Sequence, residues 1–110
     1  MIFDSHVHYD DEAFDGDREE VFQKIQAEGV GMVVDIGADI ESTKMAVELS
    51  EKYDFIYAAA GVHPSEIASL TEEDMEWLKQ VSQKEKVVAI GEIGLDYHYD
   101  NIDKELQKKW

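Results

Sequence analysis

Lys86-Val87-Val88-Ala89-Ile90-Gly91-Glu92-Ile93 is apolar from its second residue to its last except for one acid. A run this short, without polar alternation and rich in β-branched residues, reads as a strand covered on both faces, as in parallel sheets. Two similar runs precede it, Gly31-Met32-Val33-Val34-Asp35-Ile36 and Phe55-Ile56-Tyr57-Ala58-Ala59-Ala60, and the chain opens on a strand-like Met1-Ile2-Phe3-Asp4-Ser5-His6-Val7-His8. Helical patterns lie between them. Val21, Phe22 and Ile25 mark a helix from Arg18 to Glu28, with Asp17 and Glu20 in capping-box spacing and Gly29 as its left-handed stop. A second helix spans Ile40 to Lys52, with Met45, Ala46, Leu49 and Tyr53 on its inner side. A third opens at Thr71-Glu72-Glu73-Asp74 and buries Met75, Leu78 and Val81.

The order β-α-β-α-β-α-β predicts an α/β fold with a parallel sheet and right-handed crossovers. Residues 101–110 read as a fourth helix, because Ile102, Leu106 and Trp110 recur at i, i+4 and i+8. No glycine, proline or further strand closes it. The pattern therefore stops inside a βα repeat, which predicts a truncated chain, although a stand-alone four-stranded domain is the other reading.

Length and composition narrow the class. The 110 residues suit one domain and are too few for two. Hydrophobic residues at 44% and charged residues at 33% describe a globular protein. No apolar run reaches the roughly 18 residues that span a bilayer, and no signal-peptide core opens the chain, so the expected location is the cytoplasm, without a membrane partner. Cysteine is absent, which leaves imidazole and carboxylate as metal ligands. The net charge of −16 argues against broad electrostatic attraction to nucleic acid, though a phosphodiester can still be held through cations in a local cleft.

Side chains alternate along a strand, so His6 and His8 share a face about 6.6 Å apart in rise. Two imidazoles so placed can lean onto one divalent ion; they can equally be two half-exposed strand residues. Glu92 shifts that balance. A carboxylate at the end of an apolar strand is costly unless an ion or strong donors compensate it, the alternative being a buried ion pair. His6, His8, His63 and Glu92 all fall at carboxyl ends of predicted parallel strands, where α/β folds gather their functional groups. His63, before Pro64, reads as a contact to substrate or as a histidine packed in the turn. Asp96 and Tyr97 are candidate substrate contacts, the acid to orient a histidine and the ring to stack on a base or sugar. Tyr99 has the same two readings as Tyr97, and His98 reads as a loop residue.

Asp4-Ser5-His6-Val7-His8, Gly61-Val62-His63-Pro64 and Ala89-Ile90-Gly91-Glu92-Ile93-Gly94-Leu95-Asp96-Tyr97, in that order, resemble the N-terminal motifs of the TatD family of metal-dependent deoxyribonucleases and hydrolases. The resemblance implies the N-terminal half of a TIM (β/α)8 barrel, with residues 1–110 supplying a (β/α)4 portion of the about 250 residues such a barrel needs. It also implies His6 and His8 as first metal ligands, Glu92 as a carboxylate ligand able to bridge two ions, and His63 in the same cleft. One or two divalent ions are implied, Mg, Mn or Zn, with DNA as substrate. The family's further histidines and catalytic aspartate come from later strands, so the general base lies beyond this chain. On this reading the chain is part of a metal-dependent deoxyribonuclease and, alone, is either inactive or completes a site only with another copy. The alternatives are a related hydrolase of an ester or amide, such as an aminoacyl ester, and a non-catalytic domain that binds a metal or a partner. An open sheet edge and the Ile102, Leu106, Trp110 strip predict self-association.

Overall fold

A computed structural model describes residues 1–98 and 100–110; the Tyr99 reading lies outside them. Four strands, β1 (Ile2–Val7), β2 (Val30–Ile36), β3 (Ile56–Ala60) and β4 (Val87–Ile90), form one parallel sheet in sequence order. The connections carry α1 (Arg18–Ala27), α2 (Ile40–Lys52) and α3 (Glu72–Val81), and α4 (Lys104–Lys109) follows β4. Short 3-10 segments occupy Glu12–Phe14 and Pro64–Ser69. Register pairs Val7 with Asp35, Ile36 with Ala59 and Ala60 with Ile90, so all four strands finish level at one end. That alignment collects the loops after β1 to β4 on one rim. No helix among the described residues is long and apolar enough to cross a membrane.

Successive residues of β2 divide between two cores, as strand alternation requires. Val33 joins Val7, Leu49, Phe55, Ile56 and Phe22, whose ring lies edge-on to Tyr9, Tyr53 and Phe55 beneath α1 and α2. Val34 and Ile36 point the other way and meet Ala59 and Tyr57. On α2 the buried residues are Thr43, Ala46, Val47, Leu49 and Ser50, while Met45 and Tyr53 are half-buried at the border of the main core. The inward face is thus rotated toward the small and hydroxyl residues that allow close approach to β3.

Two expected starts differ in outcome. Thr71 and Asp74 form the predicted reciprocal cap of α3, with Asp74 N–H donating to Thr71 Oγ1 at 3.1 Å and Thr71 N–H to Asp74 Oδ2 at 3.0 Å. Asp17 makes no such bond. Its backbone, at φ −141° and ψ 14°, leaves a tight turn from Phe14 instead of the extended geometry that aims a cap side chain at the first turn. Asp39 and Ser42 form a capping box on α2 that sequence spacing did not single out.

The expectation that β4 is covered on both faces does not hold. Val88 is 53% and Ile90 58% exposed, as are Ile2 at 55% and Phe3 at 56% on the opposite edge. Edge strands of an unclosed sheet have a neighbour on one side only, and the radius of gyration, 14.8 Å, exceeds the about 13 Å of a closed domain of this length. The final helix is shorter than predicted, beginning after an Asp103 cap, and packs against the Pro64–Ser69 segment. Its apolar strip is accordingly not open: Ile102, Leu106 and Trp110 are half-buried, and Trp110 lines a cleft of about 220 Å³ with Ile67, Leu70, Met75 and Leu78.

Candidate metal centre

The end of β1 brings His6 and His8 together, with Nε2 atoms 3.2 Å apart and rings edge to face at 5.0 Å. His8 Nδ1 lies 3.1 Å from the carbonyl oxygen of Ile36. A carbonyl only accepts, so Nδ1 carries the proton and donates it, and Nε2 turns a lone pair toward His6. This is the tautomer a metal ligand needs.

Glu92 reaches the same place from the segment just after β4. Its Oε1 lies 3.3 Å from His6 Nε2, and one ligand atom from each of His6, His8 and Glu92 fits within a 4.8 Å group. The backbone that delivers it is tightly held. Gly91 N–H donates to Ala60 O at 3.0 Å and Glu92 N–H to Gly37 O at 2.8 Å. Gly61 packs directly on the Gly91–Glu92 peptide, where a Cβ would stand 2.6 Å from Gly91 C and 2.8 Å from Glu92 O. Only glycine permits that approach. Thr43, fully buried on α2, donates from Oγ1 to Gly61 O at 3.0 Å and fixes the glycine from the other side. Sequence reading missed Thr43, a hydroxyl on an otherwise apolar helix face.

Glu92 is less enclosed than its apolar run implies, with a side chain 31% exposed against 56% for His6. The same missing neighbour that opens β4 opens the carboxylate to solvent. Two imidazole nitrogens and one carboxylate oxygen suit zinc and manganese alike and leave coordination positions open. The fit to a divalent ion is good.

His63 and Asp96 meet each other instead of joining this group. Nδ1 of His63 accepts from Ser65 N–H at 3.1 Å, capping the Pro64–Ser69 segment, and Nε2 faces Asp96 Oδ2 at 4.0 Å. Asp96 is held by Gln107, which is 3% exposed: Gln107 Oε1 accepts from Asp96 N–H and Gln107 Nε2 donates to Asp96 O, each at 2.8 Å. His98 N–H donates to Asp96 Oδ1 at 2.9 Å. Tyr97 is 44% exposed under the Lys104 ammonium, 5.0 Å from its ring centre.

A second group went unread in the sequence. Asp35 at the end of β2 is fully buried, and His8, Asp10 and Asp35 offer ligand atoms within 4.8 Å of one another. Burial first, then the facing Asp10 carboxyl, pushes the Asp35 pKa up to about 9, against a smaller opposing pull from the Asp10 amide and Arg18. Its sequence signal was of the same kind as that of Glu92, an acid within an apolar run.

Known proteins place the chain. Residues 3–110 match the family model described as TatD related DNase. The chain belongs to the TatD-related DNase family. It is 50% identical over 109 residues to the uncharacterized metal-dependent hydrolase YabD of Bacillus subtilis, covering 99% of this chain and 43% of YabD. It is 31% identical over 97 residues to the 3'-5' ssDNA/RNA exonuclease TatD of Cronobacter sakazakii, covering 88% of this chain and 37% of that protein. The crystal structure of YjjV, a TatD homolog from Escherichia coli, superposes with a TM-score of 0.87 at 34% identity, over 98% of this chain and 42% of YjjV. The chain thus spans about two fifths of the length of these TatD relatives. Its four parallel βα units correspond to the N-terminal half of a TatD-type TIM barrel, as the residue motifs implied.

Proposed function

We propose that this TatD chain carries part of the metal centre of a hydrolase that cleaves phosphodiester bonds in single-stranded DNA or RNA. The convergence of His6, His8 and Glu92 on one point of the rim carries the reading. A divalent ion there supplies Lewis-acid polarisation of a phosphoryl oxygen and acidifies water. His6 and His8 hold it through nitrogen, Glu92 through oxygen. The Ile36 carbonyl keeps the His8 proton on Nδ1, and Asp96 with His63 and Tyr97 offers a second surface for the nucleic acid strand. Because the protein carries a charge of −16, binding of a polyanion depends on the ion. Three ligands leave the shell open, and the general base comes from a complementary half. The chain alone is expected to bind the ion without turnover.

The test joins residues 1–110 to the remaining length of YabD. Shortening of a labelled single-stranded oligonucleotide that requires Mn²⁺ or Mg²⁺ is the expected result. Hydrolysis of aminoacyl esters or amides with no nuclease product would overturn the phosphodiester assignment. The unpaired edges β1 and β4, with Ile2, Phe3, Val88 and Ile90 exposed, are also templates for association with a second copy. Light scattering on the isolated chain is expected to give a mass above that of the monomer, rising with concentration. A monomer at every concentration would contradict it.

A further inference from the structure

Beside the His6, His8 and Glu92 group, Asp10 and Asp35 set two carboxyls against each other with no ion pair to a cation among the described residues. Both oxygens of Asp35 and one of Asp10 are buried with no hydrogen-bond partner among the described residues. Leaving such groups ionised and unpaired in a low-dielectric site is costly. Arg18 is the nearby cation, yet it is already committed: Nε donates to Tyr9 O at 2.7 Å, and Nη2 to Asp11 O at 3.0 Å and Asp15 Oδ1 at 2.9 Å. No ion pair joins it to Asp10 or Asp35 among the described residues. The two carboxyls and His8 offer ligand atoms within 4.8 Å of one another, so His8 belongs to both groups.

We propose that Asp10 and Asp35 form a second cation site, separate from the first, for a hard divalent ion of the magnesium or manganese class. The chemistry of the two groups differs. Two carboxylates make the Asp10 and Asp35 site oxygen-rich, matching ions that prefer oxygen even with His8 at its border, whereas His6, His8 and Glu92 form a nitrogen-rich set that also suits zinc. One or two carboxylates with water completing the shell is an ordinary arrangement for Mg²⁺. Asp10 is half-buried and Asp35 fully buried, so Asp10 is the more accessible of the two carboxyls. This site does not depend on the hydrolase reading, because it is defined by binding alone.

Mn²⁺ by itself is the probe, with bound equivalents counted by calorimetry and by loss of the free-ion paramagnetic resonance signal. The unaltered chain is expected to bind two equivalents. Glu92→Gln is expected to keep one, Asp35→Asn to lose one, and the double variant to bind none. Asp10→Asn, at a more open position, repeats the test should Asp35→Asn fail to fold by circular dichroism. Stoichiometry unchanged in Asp35→Asn and Asp10→Asn overturns the site, as does loss of all Mn²⁺ in Glu92→Gln. A chain that binds a single equivalent, abolished by Glu92→Gln, overturns it too.

Discussion

Glu92→Gln is expected to raise the dissociation constant of the His6, His8 and Glu92 centre for zinc or manganese by at least about 100-fold, since even groups that merely orient a ligand are worth 10- to 100-fold. Glutamine keeps the size of the side chain and loses the anion. Among the described residues the carboxylate makes one close side-chain contact, to His6 Nε2 at 3.3 Å, and it is 31% exposed. The backbone around it is held by Gly37, Ala60 and Gly61, none of which the substitution touches. Folding stability is therefore expected to move by no more than about 0.5 kcal/mol, as for open positions generally. Calorimetric titration with zinc, next to a thermal melt of the metal-free chain, separates the two effects. An unchanged affinity would remove Glu92 from the centre and leave His6 and His8 as a pair of strand histidines.

What made Glu92 legible was its position: an acid closing an apolar run at the same sheet end as His6 and His8. The strands were legible for a related reason, because the core of a parallel sheet imposes continuous apolar runs such as Met32-Val33-Val34 and Ala58-Ala59-Ala60. Asp35 carried the same mark as Glu92 and passed unread, since its meaning comes from Asp10, whose approach is set by the loop after β1 and not by spacing. Gln107 was opaque for a similar reason. It grips the backbone of Asp96, eleven positions earlier, and a side chain bonded to backbone leaves no periodic trace. Asp17 shows the reverse error. The capping spacing is present, but a tight turn from Phe14 decides how the chain enters α1. The exposure of β4 could not be read from its own residues, because burial of a strand belongs to its neighbours.

In chelator, the melting temperature of the chain is expected to fall as pH rises from about 5 to about 8.5, and Asp35→Asn is expected to flatten that fall. The folded-state pKa of Asp35 is pushed up to about 9, mainly by burial and then by Asp10. In the unfolded chain an aspartate titrates near 3.9. Below about pH 4 both states hold the proton, and the favourable contribution is complete. Between the two values the unfolded chain releases its proton while the folded one retains it, so each pH unit removes up to about 1.4 kcal/mol. Above about pH 9 both are ionised and the loss stops. Asparagine does not titrate, and its amide can donate to the Asp10 carboxyl, so its advantage grows with pH; at pH 8 it is expected to melt several degrees above the parent, given 4–8 °C per kcal/mol at about this size. Repulsion among the 26 acidic residues also rises with pH, but it acts on both chains and cancels in the difference. Parallel melting profiles would show that Asp35 ionises freely in the fold. Adding Mn²⁺ should then raise the parent most where the proton is most costly to keep, near pH 8, because an ion held by Asp10 and Asp35 takes the place of that proton. In Asp35→Asn that pH-dependent gain should vanish, leaving only the gain from the centre at His6, His8 and Glu92.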